Sequence, residues 1–143
     1  ADRFVLDIGT GSGILAIAAV RLGAARAAGI DYDADAIRAA NENLHLNSWV
    51  GSVEFRVADL SAGDLPEADI VTANLTGAVL IRSAARLLGL VRPGGDVGTL
   101  IVSGLLDEER DEVLRAFGRG GSNPPLAWEQ HEDGWAALAM KRS

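Results

Sequence analysis

The chain has 143 residues, 48% of them hydrophobic and 23% charged, with no cysteine. At this length a single core buries roughly 68–70% of the unfolded surface, so one globular α/β-sized domain needs no staple, and Cys-ligated zinc, iron–sulfur clusters and thiol nucleophiles are excluded from it. Twenty acidic residues against thirteen basic ones leave a net charge of −7, which disfavours direct nucleic-acid binding and suits a basic protein partner. The two histidines, His45 and His131, lack any paired spacing, so no metal is expected. No apolar run reaches the ~20 residues of a membrane span, and Ala1-Asp2-Arg3 carries no signal-peptide pattern, so a cytoplasmic, membrane-free setting is expected.

Strand and helix signals alternate along the chain. Phe4 to Ile8 is a continuous apolar run closed by Gly9, the pattern of a buried parallel strand. A glycine-rich turn follows, then a helix over 14–22 with Ile14, Leu15, Ala18, Ala19 and Leu22 expected on the inner face and Gly23 ending it. Ala25 to Ile30 is a second strand. Asp33 is an expected N-cap for a helix over 34–47, with Ile37, Ala40 and Leu44 at helical spacing. Val53 to Val57 alternates, which predicts a strand nearer a sheet edge, and Ala68 to Ala73 makes a fourth strand.

A helix is expected over 77–90, a turn at Arg92-Pro93-Gly94-Gly95 and a fifth strand over 99–103. Asp107 is read as the cap of a helix ending near Phe117. Past the loop of 118–125, Leu126 to Gln130 and Trp135 to Met140 are strands joined across Glu132-Asp133-Gly134, a hairpin signal. The alternation predicts a doubly wound, Rossmann-like sheet of seven strands, mostly parallel and ending in an antiparallel hairpin. In such a sheet ligands bind beyond the carboxyl ends of the strands, at the switch point.

The stretch Asp7-Ile8-Gly9-Thr10-Gly11-Ser12-Gly13-Ile14 carries the most information. Glycine permits a tight turn and close backbone approach to a ligand, and the helix start behind it presents free N–H groups. The spacing is G-x-G-x-G, whereas the dinucleotide fingerprint G-x-G-x-x-G would need its third glycine at Ile14. Asp31 ends the second strand, where a carboxylate accepts hydrogen bonds from the ribose hydroxyls of an adenosine. Asp33 and Asp35 are better explained by helix capping and first-turn charge. Asp59, after the third strand, is a candidate for the adenine amino group or a solvated loop residue.

Val5 to Gly13 and Asp31 resemble the class I S-adenosylmethionine-dependent methyltransferases. Gly11 to Ala18, Gly29-Ile30-Asp31-Tyr32-Asp33, Ala39 to Asn43, Ala73-Asn74-Leu75, Pro93-Gly94-Gly95, Ser103-Gly104 and Gly134-Trp135-Ala136-Ala137-Leu138 narrow the likeness. Together they are similar to the catalytic domain of the ribosomal protein L11 methyltransferases, over nearly the whole chain. The resemblance implies S-adenosylmethionine as cofactor, with S-adenosylhomocysteine as product and no metal. It puts Asp7, Gly9, Gly11 and Gly13 in the cofactor loop, Asp31 on the ribose and Asp59 near adenine. Asn74 falls where related amide and nucleobase enzymes carry an Asn-Pro-Pro-aromatic clamp. Leu75 and Thr76 replace that clamp here, which fits methylation of an aliphatic amine, a lysine or α-amine of a ribosomal protein. Thr76 stands where the family has an apolar residue, and the step 96–99 into the fifth strand is longer than the family's, so a bulge or loop is expected there.

The family's substrate-recognition domain would precede Ala1, so residues 1–143 are expected to form one cofactor-binding catalytic domain that methylates little by itself. A lysine is deprotonated only to about one part in two to three thousand at pH 7, a cost of roughly 4.6 kcal/mol that burial beside a sulfonium reduces. No side chain in the sequence is an obvious base, so Asn74 is assigned to orienting the nitrogen, with the proton leaving through water. Competing readings are a nicotinamide oxidoreductase domain, which shares the glycine turn and Asp31, and an interaction module that keeps the fold without catalysis. A nucleic-acid methyltransferase would use Arg82, Arg86, Arg110, Arg115 and Arg119 as a basic face, although these read as solvated helix surface. Trp49, Trp128 and Trp135 are expected to serve packing.

Overall fold

The computed structural model describes residues 2–48, 51–61, 63–94, 98–118 and 124–142. Seven strands form one sheet in the order β3-β2-β1-β4-β5-β7-β6. They are β1 (Phe4–Ile8), β2 (Arg26–Asp31), β3 (Val53–Val57), β4 (Ile70–Asn74), β5 (Thr99–Leu106), β6 (Leu126–Glu132) and β7 (Trp135–Lys141). The first five pair in parallel, and β7 pairs antiparallel with both β5 and β6. β1 is buried along its whole length because it has a parallel neighbour on each side and helices over both faces. The alternating strand β3 is at one edge, as its pattern predicts.

Helices α1 (Ile14–Arg21) and α2 (Ala34–Leu46) cover one face, where Val5, Ala16 and Ala27 form a small core with Val53 and Phe55 packed against it. Helices α3 (Gly77–Arg82), α4 (Ala84–Gly89) and α5 (Arg110–Phe117) cover the other, where Leu80, Leu87, Val113, Leu114 and Phe117 meet Leu6, Val71, Leu100, Val102, Leu138 and Met140 in the main core. The chain closes with a two-residue turn, Asp133-Gly134, both residues at positive φ (52° and 83°), the twist that an Asp-Gly hairpin turn imposes. Among the described residues no helix is long and apolar enough to cross a membrane.

Three expectations need correction. The inner face of α1 is Ala16 and Ile17, while Ile14 and Leu22 are 66% and 86% exposed. This helix is apolar all round, so its periodicity selects no face; the small Ala16 is what lets it approach Val5 and Ala27. The single helix over 77–90 is two, parted at Ser83. Asp107 caps nothing: Asp107–Glu109 is a 3₁₀ turn, and Glu109 Oε1 accepts from Leu106 N at 2.8 Å instead. A bulge is observed at Gly104 (φ 87°), between Ser103 and Leu105; of the step 96–99, where a bulge or loop was expected, 96–97 lie outside the described residues, as do Gly95, Trp49, Arg119 and most of the loop 118–125.

The glycines of the first loop differ in what they permit. Gly13, the N-cap of α1 at φ 82°, has no room for a side chain: a Cβ would stand 2.5 Å from Phe55 and 2.9 Å from Ala40. Gly11, at φ 55°, faces open space. Gly13→Ala should therefore destabilise by about 2–4 kcal/mol, left-handed strain plus overpacking, against about 1–2 kcal/mol for Gly11→Ala. Urea denaturation of the two variants checks the difference, and equal losses would contradict the packing role.

Candidate active site

The parallel order reverses between β1 and β4, so the segments leaving their carboxyl ends diverge and open a crevice between them. A cleft of about 970 Å³ occupies it, a size suited to a small-molecule ligand. Gly9, Asp31, Asp59 and Asn74 all line it, together with Ile8, Tyr32, Leu75 and Thr76. Four of the seven site residues expected from the sequence thus converge on one cavity. Gly11, Gly13 and Asp7 are not among its lining residues.

Asp7 is 2% exposed. Its Oδ2 accepts from Thr10 Oγ1 at 2.8 Å and its Oδ1 from Thr72 Oγ1 at 2.6 Å. Burial pushes its carboxyl above the ordinary value; the two threonine hydroxyls oppose the shift, and the charge of Asp31 adds to it. Asp7 therefore ties β1 to the loop and to β4 from beneath. Asp31 is the clamp above. Its Oδ2 accepts from Gly11 N and its Oδ1 from Asp33 N, each at 3.0 Å, so the carboxylate is oriented at the cleft with one lone pair on each oxygen already engaged. Asp33 caps α2 as expected, accepting from Asp35 N at 2.9 Å.

Asp59 Oδ1 accepts from the backbone N–H and the hydroxyl of Ser61, at 2.9 and 3.0 Å. Those bonds hold its carboxyl below the usual range. Arg86 Nε donates to Leu60 O at 2.9 Å, so α4 holds the loop that carries Asp59. Arg82 and Arg86, read from the sequence as solvated surface, both line the cleft. No local pattern marks Arg86, because its partner is 26 positions away; Tyr32 was recoverable in principle, since it directly follows Asp31.

Asn74 ends β4 opposite Ser103. A Cβ on Gly104 would lie 2.7 Å from Asn74 Oδ1 and 2.7 Å from Leu75 O, so the glycine bulge is what leaves space for the Asn-Leu step. Thr76 caps α3, its Oγ1 3.5 Å from Val79 N, which accounts for a hydroxyl where an apolar residue was expected.

A second cavity of about 710 Å³ lies on the other side of Asn74, Leu75 and Thr76, walled by Ser103, Gly104, Gln130, Glu132, Asp133 and Trp135. Trp135 is 53% exposed and Trp128 47%, so neither ring is packed away as expected: Trp128 is on the edge strand β6 and Trp135 is the first residue of β7. On β6, alternate residues do different work. Gln130 and Glu132 line the cavity, while Glu129 and His131 face the start of α5. There Arg110 Nε donates to Glu129 Oε2 at 2.7 Å and Nη2 to Oε1 at 3.3 Å, and His131 Nδ1 is 2.6 Å from Asp107 Oδ1. Among the described residues no group of three or more His, Asp or Glu side chains is arranged to hold a metal ion.

The whole chain, residues 1–143, matches the family model described as Ribosomal protein L11 methyltransferase (PrmA). The chain belongs to that family. A ribosomal protein L11 methyltransferase of Geotalea uraniireducens is 41% identical over 138 residues, covering 96% of this chain and 42% of the relative. One from Heliobacterium modesticaldum is 38% identical over 143 residues, covering 100% and 44%. The chain thus spans under half the length of these family members. A crystal structure of the ribosomal protein L11 methylase from Lactobacillus delbrueckii subsp. bulgaricus superimposes with a TM-score of 0.87 at 27% identity, over 100% of this chain and 71% of that one. An RNA methyltransferase from Salinibacter ruber in complex with S-adenosyl-L-homocysteine shares the fold, with a TM-score of 0.74 at 24% identity over 97% and 80%. The seven-stranded, Rossmann-like methyltransferase fold is common to these structures and this family member.

The pairing of His131 with Asp107 raises the histidine above its ordinary value of 6.5, with Glu129 adding to the shift. A raised histidine stabilises most below 6.5, and the contribution is lost as pH rises through the shifted pKa. NMR titration should place His131 above 6.5 and Asp107→Asn should return it toward that value. The melting-temperature gap between the two proteins should be widest under acid conditions and close at alkaline pH. A gap independent of pH would show that the pair does not brace the hairpin.

Proposed function

We propose that the chain is the catalytic domain of an S-adenosylmethionine-dependent protein N-methyltransferase, acting in the cytoplasm on a lysine or α-amine of ribosomal protein L11. The observation that carries this reading is the meeting of Gly9, Asp31, Asp59 and Asn74 on one cleft at the switch point. The residues fit an adenosine-bearing ligand. Gly9, at φ 68°, has no side chain over the cleft, and one added there would strike Leu75 at 2.8 Å. Asp31 offers its remaining acceptor positions to the ribose hydroxyls, and Asp59, kept ionised by Ser61, accepts from the adenine amino group. When bound, S-adenosylmethionine would supply an electrophilic methyl carbon: an N–C bond to the acceptor amine forms as the C–S bond breaks, the thioether leaves with the electron pair, and the methylated nitrogen loses one proton.

The protein's own contribution is alignment. Holding the acceptor nitrogen in line can supply up to ~7–11 kcal/mol of the barrier. Asn74 is at the tip of β4, on the wall of both cavities, and its side-chain amide oxygen accepts a hydrogen bond from the amine and fixes its lone pair. Family membership and the G-x-G-x-G spacing favour this reading over a nicotinamide site.

Asp31→Ala should weaken S-adenosylhomocysteine binding by roughly 10- to 150-fold, the loss of a charge-assisted contact of ~1.5–3 kcal/mol. Calorimetry on a variant whose melting curve shows it folded makes the test, with Asp31→Asn as a control that retains one acceptor for Gly11. Wild-type affinity in folded Asp31→Ala would overturn the assignment. Asn74→Ala should leave that affinity within about threefold and, placed in a complete active enzyme, should lower single-turnover methyl transfer to ribosomal protein L11 on the order of tenfold or more, the signature of a contact made mainly in the transition state. An unchanged rate would assign the orienting role to another residue.

A further inference from the structure

The connection from β3 to β4 differs from the others around the first cleft. Helices α1 and α2 and the pair α3 and α4 follow β1, β2 and β4, whereas the described residues between β3 and β4 form no helix or strand, and Asp59 is on that stretch. Its start is fastened to β2, through Ala58 N donating to Asp31 O at 3.0 Å. Beyond that point no strand ladder sets its direction.

Arg86 acts there on a single peptide unit. The Leu60 carbonyl and the Ser61 N–H belong to the same planar group. The carbonyl oxygen accepts from Arg86 Nε at 2.9 Å, and the N–H donates to Asp59 Oδ1 at 2.9 Å. Fixing one end of a planar peptide fixes the other, so α4 dictates the direction from which the Asp59 carboxylate is held. A cation on the carbonyl also makes the N–H a stronger donor, and the bond from that N–H is the largest of the influences that keep the Asp59 carboxyl below its ordinary range. Leu60 itself packs against the main core, and Arg86 lines the same cleft as Asp59.

We propose that Arg86 is a positioning residue that sets the base specificity of the first cleft, fixing the Asp59 carboxylate so that the cleft takes a 6-aminopurine nucleoside and discriminates against its 6-oxo counterpart; the proposal rests on the cofactor reading of that cleft. An ionised carboxylate only accepts hydrogen bonds. It pairs with the exocyclic amino group of adenine and meets the oxygen of hypoxanthine as a second acceptor. Hypoxanthine carries a donor, its N1–H, one ring position along, which a carboxylate free to swing can follow and one held on its peptide cannot. Position, and not charge alone, is what tells the two bases apart.

Calorimetry with S-adenosylhomocysteine and S-inosylhomocysteine tests this as a ratio of affinities. The unaltered chain should bind the adenosyl ligand at least about fivefold more tightly, a modest ratio because Asp59 is exposed. Arg86→Met keeps the aliphatic stem and removes every donor, and Arg86→Ala removes both. In each the ratio should fall below about twofold, with melting curves showing that the variants fold. Asp59→Asn should lower the ratio as far, because an amide can accept or donate, and adding Arg86→Met to it should change the ratio no further, as for two residues acting through one contact. An unchanged ratio in folded Arg86→Met and Arg86→Ala, with both affinities lowered alike, would show a merely structural role and overturn the proposal while leaving the cofactor reading intact. Equal binding of the two ligands by the unaltered chain would show that Asp59 does not read the base, and the proposal would fail. Failure of the unaltered chain to bind S-adenosylhomocysteine would overturn the cofactor reading and this proposal with it.

Discussion

A carboxylate held dry in the middle of the sheet organises everything at its mouth. Asp7 occupies a position that the pattern of β1 would give to an aliphatic residue, and burying its charge costs free energy that two hydroxyl donors only partly offset. What that cost secures is direction. Thr72 belongs to β4 and Thr10 to the glycine loop, so one side chain couples the two segments that part at the switch point. Thr10 N also donates to Ile30 O, which extends the β1–β2 pairing into the loop. Gly11 N then arrives within reach of Asp31. The loop is thus fastened at successive residues before any ligand binds, and little ordering remains to be done on binding.

The three loop glycines divide the work that their spacing alone would assign jointly to a ligand. Gly13 is required by Phe55 and Ala40, and Gly29 on β2 by Thr10 and Phe55, at 2.5 Å and 2.8 Å from an added Cβ. Both let α1, α2 and β3 close over the start of the sheet. Gly9 keeps clear of Leu75 and opens the cleft, and Gly11 provides the left-handed turn whose N–H meets Asp31. Alternation of glycines therefore encodes close packing at one position and an open cleft wall at another, and only contacts with distant residues reveal which is which.

Most of the architecture was legible because parallel central strands are bounded apolar runs, and because Asp133-Gly134 allows one kind of turn. The cleft residues were legible for a related reason: Gly9, Asp31, Asp59 and Asn74 each stand at, or within two residues of, the carboxyl end of a strand, and strand ends in a doubly wound sheet share one side. What failed depended on tertiary partners. The inner face of α1 is chosen by Val5 and Ala27, not by a stripe in the helix itself. Asp107 has a cap residue's chemistry but finds His131 across 24 positions, and Glu109 takes the free N–H in its place. Arg86 looked like surface because the Leu60 carbonyl it binds is on the far side of two elements.

The last part of the chain returns to the site that the first part built. β5 runs past Asn74 in register with Ser103 and then bulges at Gly104, and this extra residue carries the strand into its pairing of Leu105 and Leu106 with Ala136 and Trp135. Without the bulge the side-chain alternation of β5 would continue unbroken, and a side chain at position 104 would press on the Asn74 amide and the Leu75 carbonyl. The same irregularity thus clears the end of β4 and aims the hairpin alongside it. Because β6 is an edge strand, its two faces remain free to differ, one given to the ion pairs with Asp107 and Arg110 and the other to the cavity. An edge strand exposed on every residue would gain little from burial, so its position is held by the β7 ladder, the Asp-Gly turn and those ion pairs. These constraints fix the wall of the second cavity relative to Asn74.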